Sequence, residues 1–228
     1  MAASISEDYK YNLHERFTMT EQMKQDLATC KVMPVIAIPD LDCVKDMGGA
    51  LVRGGIPFAE ITFRTKHAVE AIKLLRQNDL LYTGAGTVIN VEQAQQAYDA
   101  GAQFVVSPGF NPKVVAFCID KNLPIFPGVI TPSEIQQALE FGLDILKFFP
   151  ATAFDGLNVL PAFKGPFADT KFIPTGGITI ENLPSYLELP NVFACGGSWL
   201  TPKKTLEAND AEHILKLVQQ TRKLVDSL

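Results

Sequence analysis

The chain has 228 residues, 47% hydrophobic and 20% charged, enough to bury a full core. Its net charge of −5 gives no general attraction to a phosphate backbone, so we expect no nucleic-acid partner. No apolar stretch is long enough to span a membrane, and Met1 to Thr18 lacks the apolar core of a signal peptide. Together these features predict a cytoplasmic protein with no membrane partner.

The cysteines are far apart in the sequence, and no pair has the C-x-x-C spacing of a metal site. They are Cys30, Cys43, Cys118 and Cys195. With only three histidines in the chain, this pattern predicts neither a zinc site nor a disulfide framework. We expect reduced thiols and no bound metal.

Regular structure is predicted to open with a helix over about Thr20 to Thr29, preceded by a loose arm over residues 1–18. Short β-rich runs then follow at Val32–Ile38, Phe58–Phe63, Tyr82–Thr87, Phe104–Pro108, Pro124–Val129, Ile145–Phe149, Lys171–Pro174 and Val192–Cys195. Helical periodicity is found between them, as at Ala68–Leu75, Val91–Ala100, Val114–Lys121 and Ser133–Phe141, and in a closing helix at Ala211–Leu224.

Repeated βα units predict a parallel sheet, and eight of them at near-even spacing predict a closed (β/α)₈ barrel. We expect one such domain over residues 1–228, with the arm at its start. An open, doubly wound sheet is the alternative, although it more often has fewer strands. In a barrel, chemistry takes place at the carboxyl ends of the strands, so polar residues there are the candidates for function.

Strand two ends with a carboxylate and a guanidinium on the same side. Period-two alternation places Glu60, Thr62 and Arg64 toward the barrel interior, and Ile61 and Phe63 toward the helices. These residues are candidates for acid–base chemistry and for carboxylate binding. A Glu60–Arg64 ion pair that only stabilises the barrel is an equally reasonable interpretation of this strand.

Strands three to five end in small or rigid residues. Gly84 and Gly86 permit close approach of backbone or ligand, and Thr87 offers a hydroxyl, although it could instead lie near a helix N-cap. Pro108 and Pro127 lack an amide donor, which is tolerated where a ladder ends. For Pro127 we favour a role in shaping the rim.

Strand six carries a lysine in an apolar run, and alternation places Ile145, Lys147 and Phe149 on one side. Burial disfavours the ammonium form and lowers the pKa of a lysine, which suits a Schiff-base nucleophile. A structural lysine paired with a buried carboxylate is the competing interpretation. The interior Glu60 and Arg64 favour the catalytic one.

Paired glycines follow the seventh and eighth strands, where barrel enzymes bind phosphate. Gly176-Gly177 and Gly196-Gly197-Ser198 offer amide groups, a hydroxyl and nearby helix N-termini, which can bind a dianion without arginine. One Gly-Gly pair would be weak evidence, whereas two at these positions favour a phosphate site.

Seven segments, in order along the chain, resemble the class I 2-keto-3-deoxy-6-phosphogluconate (KDPG) and 4-hydroxy-2-oxoglutarate (KHG) aldolase family. They are Val35-Ile36, Glu60 to Thr65, Gly84 to Thr87, Ser107 to Gly109, Lys147 to Pro150, Pro174 to Ile178 and Gly196 to Trp199. The resemblance covers about Val32 to Leu200. It implies a (β/α)₈ barrel, usually a homotrimer, that works without a metal or another cofactor.

The resemblance also implies a role for each matching residue. Lys147 would form the Schiff base with pyruvate or the keto acid, and Glu60 would be the general acid/base. Arg64 and Thr87 would hold the pyruvyl carboxylate, while Pro108 and Phe149 would line the site. The residues that would receive the phosphate are Gly176, Gly177, Gly196, Gly197 and Ser198.

The implied reaction is reversible cleavage of 2-dehydro-3-deoxy-6-phosphogluconate to pyruvate and glyceraldehyde 3-phosphate. Ser198 and the glycine pairs favour a phosphorylated keto acid, and Thr175 resembles the gluconate branch of the family. Cleavage of 4-hydroxy-2-oxoglutarate or 2-dehydro-3-deoxy-6-phosphogalactonate stays open. The chain departs from the family at Thr152, where many relatives carry glutamate, and we expect a local change in that loop.

Two further classes of function compete with the aldolase interpretation. A phosphosugar epimerase or isomerase would use the same phosphate turns with paired carboxylates or metal-binding histidines. A non-catalytic barrel could bind a phosphorylated metabolite, but it would have no need for an interior amine. The few histidines count against the first, and Lys147 with Glu60 and Arg64 counts against the second.

Overall fold

The computed structural model describes residues 19–228, and the predicted arm over residues 1–18 lies outside them. The first helix, α1 (Glu21–Cys30), confirms the predicted leading helix and begins where the Thr20 hydroxyl accepts a hydrogen bond from the Met23 amide. Asp26 accepts a 2.7 Å hydrogen bond from the hydroxyl of Tyr82 at the start of the third strand. The helix therefore lies against the amino ends of the strands, away from the predicted site.

Strands and helices alternate through the rest of the chain. The strands are β1 (Val32–Ile36), β2 (Phe58–Thr62), β3 (Tyr82–Gly86), β4 (Val105–Val106), β5 (Ile125–Phe126), β6 (Gly128–Val129), β7 (Ile145–Phe148), β8 (Lys171–Pro174) and β9 (Cys195–Gly197). The helices after α1 are α2 (Val44–Arg53), α3 (Ala68–Leu75), α4 (Val91–Asp99), α5 (Pro112–Asp120), α6 (Pro132–Glu140), α7 (Gly156–Phe163), α8 (Leu183–Leu187), α9 (Lys203–Glu207) and α10 (Ala211–Val225). This alternation confirms the predicted α/β class.

The strands pair in parallel and form two sheets. A six-stranded sheet has the order β5-β4-β3-β2-β1-β9, and a three-stranded sheet has the order β6-β7-β8. Two isolated parallel bridges, Phe172 with Val192 and Thr175 with Gly196, bring the β8 segment beside the β9 segment. Since all ladders run in the same direction, the carboxyl ends of the strands meet at one end of the molecule.

The predicted fifth strand, Pro124–Val129, is divided at Pro127 into β5 and β6. Proline has no amide hydrogen to donate to a ladder, which explains the break. Its carbonyl still accepts a 3.0 Å hydrogen bond from the Lys147 amide. Pro127 therefore marks the place where this segment leaves β4 and turns to pair with β7.

The predicted eighth strand, Val192–Cys195, was placed too early in the chain. The strand is β9, and its register pairs Cys195, Gly196 and Gly197 with β1. A Cβ at Gly196 would overlap the Thr175 hydroxyl, and one at Gly197 would overlap the Trp199 ring. These glycines therefore lie inside the strand because the neighbouring side chains fill the space beside them.

Buried apolar side chains from the strands and from the inner faces of the helices form one continuous core.

Between residues 19 and 228, no helix combines the length and the apolar character needed to cross a membrane.

Candidate active site

Lys147 lies on β7 with only 5% of its surface exposed. Its Nζ atom is 3.4 Å from Glu60 Oε1 and 5.2 Å from the centroid of the Phe149 ring. Lys147 and Phe149 thus share a side of the strand, as alternation predicted. Lys147 has the carboxylate partner that the structural interpretation requires, so the surroundings of the pair must decide between the two interpretations.

Glu60 lies on β2 and is 1% exposed. Burial raises the pKa of its carboxyl group, and the positive charges of Lys147 and Arg64 offset part of that rise. A carboxyl group with a raised pKa can accept a proton and return it within one reaction cycle. This electrostatic setting suits a general acid/base.

Gly86 leaves the space that the Glu60 side chain occupies. It ends β3, which pairs with β2 through Glu60–Gly84 and Thr62–Gly86. A Cβ at Gly86 would overlap the Glu60 carboxylate. The sequence indicated that a glycine here allows close approach, but it did not identify Glu60 as the group that approaches.

Arg64 follows β2 and donates from Nε to Thr62 Oγ1 at 3.2 Å. Thr62 in turn donates to the Ile36 carbonyl on β1 at 3.0 Å. Among residues 19–228 no salt bridge joins Arg64 to a carboxylate, and Glu60 pairs with Lys147 instead. The predicted alternative of a purely structural Glu60–Arg64 pair is therefore wrong, and the terminal guanidinium nitrogens remain available for a ligand.

Thr87 follows β3 with φ at 58°, in the left-handed region. A β-branched residue adopts this conformation rarely and at an energetic cost, which is a mark of functional sites. Asn90, rather than Thr87, caps α4 by accepting a 2.8 Å hydrogen bond from the Gln93 amide, so Thr87 lies in the turn just before the cap.

A cavity of about 200 Å³ opens at the carboxyl ends of the strands. Its walls bring together most of the predicted site residues, namely Arg64, Thr87, Pro108, Lys147, Phe149, Thr175, Gly176, Gly177, Gly197 and Ser198. They also include Val35 and Ile178, for which the sequence predicted no role in the site. Lys147 opens onto this cavity, so a ligand there can reach its amine. A Lys147–Glu60 pair that only stabilised the fold would not need this access, so the cavity favours the catalytic interpretation.

The outer rim of the cavity is the turn after β8. Gly176 and Gly177 have φ of 95° and 79°, a backbone conformation that glycine adopts most easily. Gly196 was predicted to face the phosphate, but it does not line the cavity, since it lies within β9 beside Thr175. The helices α8 and α9 begin only at Leu183 and Lys203, so neither N-terminus directly follows a glycine pair.

A second cavity, of about 710 Å³, adjoins the first and shares Val35, Arg64 and Ser198 with it. His67 lines this outer cavity, and neither His67 nor His213 lines the inner one. Within the described part of the chain, no three His, Cys, Asp or Glu side chains are grouped to hold a metal ion. The inner cavity therefore presents a lysine with one carboxylate, Glu60, beside it, rather than the paired carboxylates or metal-binding histidines of the epimerase alternative.

The fold and the cavity define a class of parallel α/β proteins in which a buried lysine opens into a cavity at the carboxyl ends of the strands. Residues 23–217 match the family model for KDPG and KHG aldolases. The chain belongs to this family of carbon–carbon lyases, which confirms the family predicted from the seven segments.

Individual relatives agree with the family assignment. The chain is 47% identical over 201 residues to 2-dehydro-3-deoxy-phosphogluconate aldolase of Treponema pallidum, covering 87% of this chain and 95% of that protein. A KDPG aldolase structure from Legionella pneumophila, with pyruvate captured at low pH as a covalent carbinolamine, has a TM-score of 0.83 and 38% identity, covering 87% of this chain and 97% of that one. A Zymomonas mobilis 2-keto-3-deoxy-6-phosphogluconate aldolase with 3-phosphoglycerate has a TM-score of 0.83 and 36% identity, covering 90% and 96%.

Proposed function

We propose that the protein is a class I aldolase that reversibly cleaves 2-dehydro-3-deoxy-6-phosphogluconate to pyruvate and glyceraldehyde 3-phosphate. The observation that carries this proposal is Lys147, buried at 5% exposure, 3.4 Å from Glu60 and open to the cavity. A buried amine beside a carboxyl group of raised pKa supplies a nucleophile and an acid/base in one place.

In this mechanism the Lys147 ammonium gives a proton to Glu60, and the resulting amine adds to the C2 keto carbon. Glu60 returns the proton as water leaves, which gives a protonated imine and a Glu60 carboxylate. Glu60 takes the C4 hydroxyl proton while the C3–C4 bond breaks. The electron pair of that bond moves into the imine and forms a neutral enamine, and the aldehyde leaves. Glu60 then returns the proton to C3, and hydrolysis of the imine releases pyruvate and restores the amine. The imine is the electron sink, so the cycle needs neither a metal nor another cofactor.

Substrate carboxylate binding is assigned to Arg64 and Thr87. The guanidinium can form a bidentate contact that a lysine could not copy, and its orientation is supported by the Nε contact to Thr62. Pro108 and Phe149 line the pyruvyl half of the cavity. The pyruvate carbinolamine in the Legionella relative is consistent with this half of the proposal.

Phosphate binding is assigned to Gly176, Gly177, Gly197 and Ser198, with Gly196 acting from within β9. The 3-phosphoglycerate in the Zymomonas relative is consistent with a phosphorylated substrate. Thr175 is assigned to specificity for the gluconate substrate. Because the pyruvyl half is common to all three, 4-hydroxy-2-oxoglutarate and 2-dehydro-3-deoxy-6-phosphogalactonate are the alternative substrates.

We further propose that the strands close into one eight-stranded barrel and that residues 1–228 are a single domain. The bridges from Phe172 to Val192 and from Thr175 to Gly196, and the Pro127 carbonyl that accepts from Lys147, support closure. By family resemblance, the protein would be a cytoplasmic homotrimer acting on small phosphorylated keto acids, with no nucleic-acid or membrane partner.

The decisive experiment is reductive trapping. The protein is incubated with pyruvate, reduced with borohydride, digested and mapped by mass spectrometry, and the adduct is expected on Lys147. An adduct on Lys164 or Lys171, or no adduct, would remove the basis of the proposal. Comparison of kcat/KM for the three candidate substrates then identifies the preferred one.

A further inference from the structure

The turn after β8 is held from below by Thr152. The Gly176 carbonyl accepts two hydrogen bonds from this residue, one from its amide at 3.1 Å and one from its hydroxyl at 3.2 Å. The fit between the two segments is close, because a Cβ at Gly177 would overlap the Thr152 hydroxyl. Thr152 therefore fixes the direction of the peptide group between Gly176 and Gly177.

The next peptide group is held by Asn182. Its Nδ2 donates to the Gly177 carbonyl at 2.9 Å, and its Oδ1 accepts from the Thr179 amide at 2.8 Å. With both ends of the amide in use, Asn182 has one orientation that satisfies its hydrogen bonds. It therefore fixes the peptide group between Gly177 and Ile178.

Fixing these two carbonyls also fixes two amide hydrogens. In a planar trans peptide, the carbonyl of one residue and the N–H of the next point in opposite directions. The Gly177 N–H therefore points away from Thr152, and the Ile178 N–H points away from Asn182. Both residues line the inner cavity.

Neither N–H has an acceptor among residues 19–228. Ile178 as a whole residue is 5% exposed, and in folded proteins most backbone amides of buried residues have a partner. Two adjacent unpaired donors at the rim of a cavity are a suitable arrangement for an anion. No positive side chain is needed for such binding.

We infer that Thr152 and Asn182 are positioning residues that aim the Gly177 and Ile178 amides at the substrate phosphate. The inference rests on the proposed function for the phosphate site, and it assigns the recognition of the dianion to the residues behind the turn. Thr152 and Asn182 touch the turn and not the reacting atoms. Their loss should weaken phosphate recognition while the chemistry at Lys147 proceeds.

The test compares Thr152→Val and Asn182→Ala on 2-dehydro-3-deoxy-6-phosphogluconate and on unphosphorylated 4-hydroxy-2-oxoglutarate. We expect KM for the phosphorylated substrate to rise about threefold in Thr152→Val, which keeps its amide, and about tenfold in Asn182→Ala. The values of kcat, and kcat/KM for the unphosphorylated substrate, should change less than about twofold. Thr152→Ser should restore the wild-type KM.

Matched controls are available close to both residues in the chain. Thr179→Val removes a nearby exposed hydroxyl, and Asn158→Ala removes an exposed amide that bonds Asp155 at 2.8 Å. Both should keep the wild-type KM. Equal losses on the two substrates, or no loss on either, would show that Thr152 and Asn182 only stabilise the loop and would overturn the inference.

A second measurement does not depend on turnover. Titration of the ¹⁵N-labelled protein with inorganic phosphate should shift the Gly177 and Ile178 amide resonances, and Asn182→Ala should weaken the apparent affinity about tenfold. If the wild type bound phosphate in this way but did not cleave the phosphorylated substrate, the proposed function would fail and the positioning role would stand. Wild-type phosphate affinity in both variants would overturn the positioning role alone.

Discussion

The two ends of the cavity are built from different parts of the chain. At the inner end, Lys147 lines the cavity and Glu60 lies 3.4 Å from its Nζ atom, with 5% and 1% of their surfaces exposed. Both project from strands whose register is fixed on both sides. At the outer end, Gly177 and Ser198 are exposed, and the donors are largely amide groups of the backbone. The inner end thus depends on which side chains are present, and the outer end on how peptide groups are oriented.

This difference has a consequence for mutation. A side chain that supplies a nucleophile or a proton has no substitute, so its removal eliminates a step. A backbone amide is one of several donors that bind the same anion. The loss of one donor therefore weakens binding by about the free energy of one hydrogen bond. We therefore expect effects that differ by orders of magnitude between the two ends.

The largest effect is expected for Lys147→Ala. Without the amine no imine forms, so retro-aldol turnover should fall to the background of the assay, measured by pyruvate release. The fold should persist, because the remaining Glu60 carboxyl, whose pKa burial already raises, can take up a proton and avoid an unpaired buried charge. Lys171→Ala is the control, since its exposed Nζ donates to the Pro190 carbonyl at 2.8 Å and does not line the cavity. Residual specific turnover in Lys147→Ala would contradict the nucleophile assignment.

Glu60→Gln should lower kcat by on the order of 10²–10⁴-fold and slow the exchange of pyruvate methyl protons, followed by NMR. In the wild type, burial raises the pKa of Glu60, so its carboxylate form is lost at a higher pH as the pH falls. The acid limb of kcat/KM for cleavage should therefore lie above about 4.3, the ordinary value for glutamate. Glu60→Gln should lack this limb. Near-wild-type exchange of the pyruvate methyl protons in Glu60→Gln would show that Glu60 is only a structural partner of Lys147.

The inner end could be predicted well from the sequence, because strand alternation has a fixed period. It placed Lys147 and Phe149 on one side of β7, and the 5.2 Å from Nζ to the ring agrees. It did not identify the pairing of Glu60 with Lys147, since partners on distant strands leave no local pattern. The space at Gly86 was missed as a support of Glu60 for the same reason.

The outer end was predicted less completely. The glycine pairs indicated a phosphate turn, but the sequence placed the last strand before Gly196 rather than through it. Local propensity disfavours glycine in a strand, and pairing with β1 overrides it. The contacts from Thr152 and Asn182 depend on loops that come together only in the folded chain, so no spacing rule could have found them.

Arg64→Lys should raise KM for the phosphorylated and the unphosphorylated substrate by similar factors. Both substrates carry the carboxylate that Arg64 is assigned to bind. A point charge replaces a fork, and losing one hydrogen bond to a charged group costs about 1.5–3 kcal/mol. That corresponds to a rise in KM of roughly ten- to a hundredfold on phosphorylated and unphosphorylated substrates. Steady-state kinetics on the two substrates checks this prediction. A rise in KM confined to the phosphorylated substrate would show that Arg64 binds the phosphate rather than the carboxylate.

Of the substitutions at Lys147, Glu60, Arg64 and Ser198, Ser198→Ala should have the smallest effect, and only at the outer end. Ser198 is exposed at the rim that the two cavities share, and its hydroxyl is one donor among several amides. Losing a charge-assisted hydrogen bond should raise KM for the phosphorylated substrate about tenfold, since 1.4 kcal/mol is a factor of ten. The unphosphorylated 4-hydroxy-2-oxoglutarate should hardly be affected, and Ser198→Thr, which keeps the hydroxyl, is the matched control.

The pattern across Arg64→Lys and Ser198→Ala distinguishes the two ends more sharply than either variant alone. If the cavity has a carboxylate end and a phosphate end, the first variant weakens both substrates and the second only one. Equal losses on both substrates in Ser198→Ala would make the serine a structural support of the β9 turn. A crystal soaked in sulfate gives an independent check, because the anion should lie against Gly177 and Ser198. Sulfate bound only at other surfaces would place the phosphate end elsewhere on the molecule.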